Sequence, residues 1–208
     1  MSAIPLTSQT EIINFALGHI GQKPVMDITE KSAQSNAALK IWNSCLKETL
    51  QNHDWSFATI IQALDLHATY DPAPAGYLFA YAYPANCLAL WHVFNSETID
   101  KTLGIRYRVL YDPTSLTKVV VTDAALAVGE YTFWVDDTSK FDNFFITALS
   151  HRLASELAMI LNGDAAMAQS QIAIYNTMMS EAERMNSYEN NDINDHQEER
   201  SPLIQSRG

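Results

Sequence analysis

The residues of this chain that could do chemistry are six histidines, two cysteines and a few adjacent carboxylates. His53 and Asp54 stand side by side, the two residue types of a general base and its orienting partner. Adjacency in sequence does not place an imidazole against its neighbour's carboxylate, and no third group is marked for the pair. His19, His67, His92, His151 and His196 are scattered, without the H-E-x-x-H or Cys/His spacing of a zinc site. Asp136-Asp137 could share a divalent cation, but such sites need more oxygen ligands than two neighbours supply. A solvated turn is the expected role there.

Other chemistries fail on position. Gly18-x-x-Gly21 falls at the end of a helical pattern, so it cannot offer helix N-terminal amides to a phosphate. No G-x-S-x-G elbow is present to anchor a hydrolase triad. Cys45 and Cys87 form no C-x-x-C pair and read as small buried hydrophobes in a reducing cytoplasm. Trp55 and Phe57 follow an amphipathic helix with no adjacent cation, which favours core packing over a platform for bases. No catalytic residue, cofactor or metal is expected. The rival is a cytoplasmic hydrolase whose site assembles in space around His53 and Asp54. If His53→Ala and Asp54→Ala leave function intact, that rival loses its candidate.

Composition narrows the partners. The 208 residues carry 13 basic and 24 acidic side chains, a net charge of −11. Binding nucleic acid through its phosphates needs a basic face, so that mode is disfavoured. Solubility and like-charge repulsion account for the balance, and an acidic wall past which DNA slides would also fit. The hydrophobic share of 47% is enough for an independent core. There is no basic region followed by an apolar stretch at the N-terminus, and no segment is read as reaching the roughly 20 apolar residues of a spanning helix.

The elements that position these residues follow from periodicity. Ser8 to Ile20 reads as a helix opened by a Ser8/Glu11 capping box and closed by Gly21 and Pro24. Ser32 to Gln51 reads as a second, with Ala38, Ile41, Trp42, Cys45, Leu46 and Leu50 on one face. The two should form an antiparallel pair. Between Lys47 and Lys101 there is no lysine or arginine, and aromatics and prolines accumulate. Strand-like runs cover 88–94, 105–111, 118–122 and 131–135, with Asp112-Pro113 and Val128-Gly129 as turns. In the second run Ile105, Tyr107, Val109 and Tyr111 alternate with Arg106 and Arg108, as on a half-buried strand of one small antiparallel sheet.

Helix returns after Asp137, capped by Asp142 or Asn143 and striped by Phe145, Leu149, Leu153, Leu157 and Leu161. Asn162-Gly163 ends it, and Asp164 caps a last helix with Met167, Ile174, Tyr175, Met178, Ala182 and Met185. From Tyr188 the chain turns to Asn, Asp, Glu and Gln and cannot offset its own ordering entropy. The fold class is α+β. The divisions are N-terminal helices over 1–62, a β-rich part over 63–137, C-terminal helices over 138–187 and an extended tail over 188–208.

One ordered set of short motifs remains. Ile20-Gly21 with Pro24 closes the first helix; Trp55-Ser56-Phe57-Ala58 follows the second. Pro84-Ala85-Asn86-Cys87-Leu88 opens the sheet region, and Leu153-Ala154-Ser155-Glu156-Leu157-Ala158 lies in the third helix. In that order, over about residues 9–187, the chain resembles the tail tubular protein A family, head-to-tail adaptors of short-tailed bacteriophages. Asn86 stands where many members carry an aspartate. The resemblance implies an antiparallel helical bundle with an inserted small antiparallel β domain and a flexible tail. It implies a virion structural protein, a ring (dodecameric in relatives) docked under the portal protein. Such a ring extends the DNA channel without reading sequence and seats the tail nozzle, a tubular protein B-like partner. The alternative within the virion is another neck or head-completion protein. Assembly would occur in the host cytoplasm, with no membrane partner. Tyr188, Ile193, Leu203 and Ile204 are the expected anchors on the portal.

Overall fold

The computed structural model describes residues 7–96 and 104–189, without the side chains of 183 and 185–189. It is a mixed α+β fold of four α-helices and two small antiparallel sheets. Helix α1 (Gln9–His19) opens with the capping box foreseen: Ser8 Oγ accepts from the Glu11 amide and the Glu11 carboxylate accepts from the Ser8 amide. It ends where Gly21 takes φ +70°, a conformation a side chain would strain. Helix α2 (Ala33–Gln51) starts from Ser32, whose hydroxyl accepts from the Ser35 amide. Helix α3 (Asn143–Leu157) is capped by Asp142, and a π-helical turn over Ala158–Asn162 leads to Gly163 at φ +64°. Helix α4 (Ala165–Glu189) starts from Asp164, whose carboxylate takes the Met167 amide.

Helix α3 is the hub. Helices α1, α2 and α4 each pack on it, so α1 and α2 are not chiefly each other's partner and the expected α1–α2 pair does not form. The reason is hydrophobic: Phe145, Leu149, Leu153 and Leu157 are fully buried and α3 hides neighbouring Ala148 and Ala154 as well. A helix apolar around so much of its girth must be covered on several sides. Residues 143–162 are also long and apolar enough by composition to cross a membrane, which the sequence reading overlooked. In the protein 61% of that stretch is buried, as in a core helix.

Among the described residues six strands lie between α2 and α3: β1 (Thr59–Ala63), β2 (Phe79–Ala82), β3 (Cys87–Asn95), β4 (Tyr107–Asp112), β5 (Thr117–Thr122) and β6 (Ala127–Phe133). They form two three-stranded sheets, ordered β1-β6-β3 and β2-β5-β4, where one was expected. Beyond β1 the chain crosses to the second sheet, with Leu66 bridging Tyr81 and the His67 amide donating to the Ala80 carbonyl. On the other side the Ile105 amide donates to the Val93 carbonyl, joining β4's leading end to β3. These contacts join the two sheets at two points, while β1 and β4 stay outer strands of their own sheets. Leu64, Tyr81, Val93 and Val120 fill the space between the sheets. Ala80, Val119 and Val121, on the opposite face of the second sheet, are covered by Tyr70, Ala75 and Tyr77 of the preceding loop.

Three strand expectations change. Val128-Gly129, read as a turn, lies inside β6, which therefore runs 127–133 instead of 131–135. A Cβ on Gly129 would stand 2.9 Å from Leu64 Cδ2, so the glycine serves close packing and not a bend. In β4 the anticipated buried face holds only at its start: Ile105 and Tyr107 pack against the core between the sheets, but Val109 is 37% and Tyr111 57% exposed, while Asp112 is buried. The carboxylate of Asp112 accepts from the amides of Thr114 and Ser115 and the Ser115 hydroxyl, which makes its burial tolerable. The strands β1 and β2 had no sequence expectation, and β1 begins inside the stretch assigned to N-terminal helices.

Candidate functional site

The His53–Asp54 pair, unplaced by sequence, comes together: His53 Nδ1 lies 3.3 Å from Asp54 Oδ1. The imidazole is buried, with the Trp55 ring edge-on at 4.8 Å. These residues sit where α2 ends and the chain turns toward β1. Trp55 is core as expected, donating its indole N–H to the Thr49 carbonyl and packing against Phe57 and Phe145. The dyad therefore stands beside the helical core.

A second histidine pair was not foreseen. His19 and His151 stack with ring centroids 4.0 Å apart, where α1 meets α3. His19 Nε2 is 3.1 Å from Ser150 Oγ, and His151 Nδ1 is 2.7 Å from Gln171 Oε1 of α4. Burial, and then the neighbouring His151, hold the His19 pKa below its usual value. The sign follows: the unfolded chain binds this proton more readily, so the contribution to stability is intact above the ordinary histidine range and falls on acidification. Thermal unfolding should show stability declining from pH 7 to pH 5. His19→Gln should flatten that decline, and an unchanged slope would exclude this pair as its source.

Several other polar groups are committed within the fold. Arg152 of α3 is largely buried and reaches Glu48 at 2.9 Å and Glu156 at 2.8 Å. Burial alone would lower its pKa, but hydrogen bonds to these two carboxylates outweigh that and raise it. This ties α2 to α3 and keeps a cation inside the helical layer. His92 Nδ1 lies 3.2 Å from Glu130, and His67 Nε2 lies 3.9 Å from Asp112. Burial pushes the Cys45 thiol up to about 12 and the Cys87 thiol upward, so neither is a ready thiolate. Asp137 Oδ1 accepts from the Ser139 amide and hydroxyl, capping a short 3-10 turn. Among the described residues no group of three or more His, Cys, Asp and Glu is placed to hold a metal.

What stands out instead is apolar surface on sheet edges. Strand β1 is a sheet edge exposed on both faces from Ile60 to Ala63, with Ile61 46% exposed. A cavity of about 260 Å³ lies beside it, walled by Gln62, Leu64, Tyr83, Pro84 and Tyr131. The Tyr131 hydroxyl donates to Gln62 Oε1 across its floor. The sequence signal for β1 was present in Ile60-Ile61, but the preceding aromatic run masked it.

Of the anchors expected on the portal, Tyr188, the first residue of the expected tail, lies on the last turn of α4, with no description of its side chain. Ile193, Leu203 and Ile204 lie outside the described residues. Neither a family model nor a curated protein matches the chain.

Proposed function

We propose that the protein is a head-to-tail adaptor of a short-tailed phage virion, a non-enzymatic ring that docks beneath the portal, extends the DNA channel and seats the tail nozzle. In this reading the four helices act as a bundle and the six strands as a domain inserted into it. The observation that carries the proposal is the arrangement of the chain. Helices from both ends share one core around α3, and the whole β-rich part, from Thr59 to Phe133, intervenes between α2 and α3. Three of the four family-like motifs fall at the joints of that arrangement. Ile20-Gly21 ends α1, Trp55-x-Phe-Ala joins α2 to β1, and Cys87-Leu88 begins β3, whose Leu88 carbonyl accepts from Gln51 of α2.

A net charge of −11 opposes premature association and disfavours adhesion of DNA phosphates as they pass. A portal surface would gather monomers at high local concentration and so close the ring. Electron microscopy of the purified chain, alone and mixed with the portal encoded by the same genome, tests this. Monomers alone and a ring on the portal are expected; a compact particle that ignores the portal would defeat the proposal. The second reading, a hydrolase, gains from the 3.3 Å contact between His53 and Asp54. The burial of His53 against Trp55 speaks for a structural role instead.

A further inference from the structure

Among the described residues β1 and β4 are each the outer strand of a sheet. In β1 the Phe133 amide donates to the Ala58 carbonyl and the Leu64 amide to the Ala127 carbonyl. Antiparallel alternation then turns the even-numbered residues toward β6 and leaves the main-chain groups of Thr59, Ile61 and Ala63 facing outward. In the second sheet the Tyr83 amide donates to the Lys118 carbonyl, so Lys118, Val120 and Thr122 of β5 bond to β2. Thr117, Val119 and Val121 are left to bond β4 through Asp112, Leu110 and Arg108, and the main-chain groups of Val109 and Tyr111 face outward.

The first edge lacks the usual protection, and the second exposes apolar side chains. Strand β1 reads Thr-Ile-Ile-Gln-Ala, with no charge and no proline, and β4 exposes Val109 and Tyr111. Exposed apolar edges of this kind pair with another strand unless blocked. Their surroundings are complementary. No lysine or arginine occurs between Lys47 and Lys101, and Asp54 and Asp65 flank β1. Strand β4 carries Arg108, exposed and without an ion pair among the described residues.

We propose that successive copies of the chain join edge to edge, the open edge of β1 in one copy adding to the open edge of β4 in the next. Ile61 then lies against Val109, with Tyr111 beside the β1 isoleucines, an aromatic and β-branched pairing of the kind that stabilises sheets. Because the two edges differ, the contact is heterologous and leaves each joined pair with one free edge of each kind. Such a contact propagates and closes a ring where the rotation allows. The contact deepens the adaptor reading and rests on its ring.

Disulfide trapping tests it on the full chain. Cross-strand Cα separations suit a disulfide, and both positions are exposed, so cysteine there spares the core. Under mild oxidation at high protein concentration, which traps transient encounters of otherwise monomeric chains, the double variant Ile61→Cys/Val109→Cys should give a ladder of covalent oligomers beyond the dimer, which the wild-type chain does not. Either single variant alone should stay monomeric, and the two singles mixed should stop at the dimer. A double variant with no ladder overturns the proposal, as do dimers from Ile61→Cys alone, the mark of two-fold β1–β1 pairing. Portal binding of the wild-type chain, read in parallel, separates the two ideas. No ladder with a decorated portal removes this contact and leaves the adaptor; a ladder with a bare portal does the reverse.

Discussion

Trp55→Ala should destabilise the chain by about 3–5 kcal/mol, the cost of emptying a large aromatic site in a packed core. Trp55 is buried where three structural parts meet: it touches His53 at the end of α2, Phe57 on the way to β1 and Phe145 in the first turns of α3. The deletion also leaves the Thr49 carbonyl without the indole N–H, inside a region water does not reach. Neighbouring rings cannot collapse into the space readily, because Phe141 and Phe145 are already in edge contact at 4.6 Å. At this chain length the loss corresponds to a fall of roughly 6–20 °C in unfolding temperature. Urea and thermal unfolding of the variant would measure it. A loss below about 1 kcal/mol would mean that the helical layer and the strands do not share this junction as a core.

That junction was legible in the sequence because its signals are local. The capping box at Ser8, the glycine after α1 and the stripe of α3 each depend on residues within one or two turns. The strand order depends on nothing local. Gly129 read as a turn because Val-Gly is a turn signal, whereas its reason for being glycine is the approach of Leu64, 65 residues earlier. The alternation in β4 was real as a pattern of residue types, but periodicity cannot say whether the apolar face meets a core or solvent. Here it runs out beyond the filled space between the sheets, leaving Tyr111 in solvent and Asp112 inside.

The candidate sites divide in the same way. His53-Asp54 could be named from sequence, yet only the turn after α2 brings the carboxylate to the imidazole. The stack of His19 on His151 joins residues 132 positions apart, and no spacing rule would pair them. The helical core could be anticipated because an apolar stripe must be buried somewhere. An open edge could not, because being an edge is a property of neighbours in space.

Removal of residues 190–208 should abolish portal binding while the monomer keeps its helical and sheet content. The stretch deleted carries Ile193, Leu203 and Ile204, isolated among Asn, Asp, Glu and Gln. If these are the residues buried on the portal, each contributes about 1.5 kcal/mol or more of apolar burial. Three together amount to roughly a thousandfold in Kd for a single subunit. Ordering the segment on the partner offsets part of the gross gain, so the net dependence on each anchor is steep. A ring multiplies the effect, because every subunit docks at once and a weakened contact is weakened at each position. The combined variant Ile193→Ser/Leu203→Ser/Ile204→Ser keeps the chain length and charge and should reproduce the loss. Circular dichroism of the free monomer controls for folding in both cases. Portal binding that survives truncation, measured by sedimentation with the purified portal, would place the docking surface on the helices or strands instead.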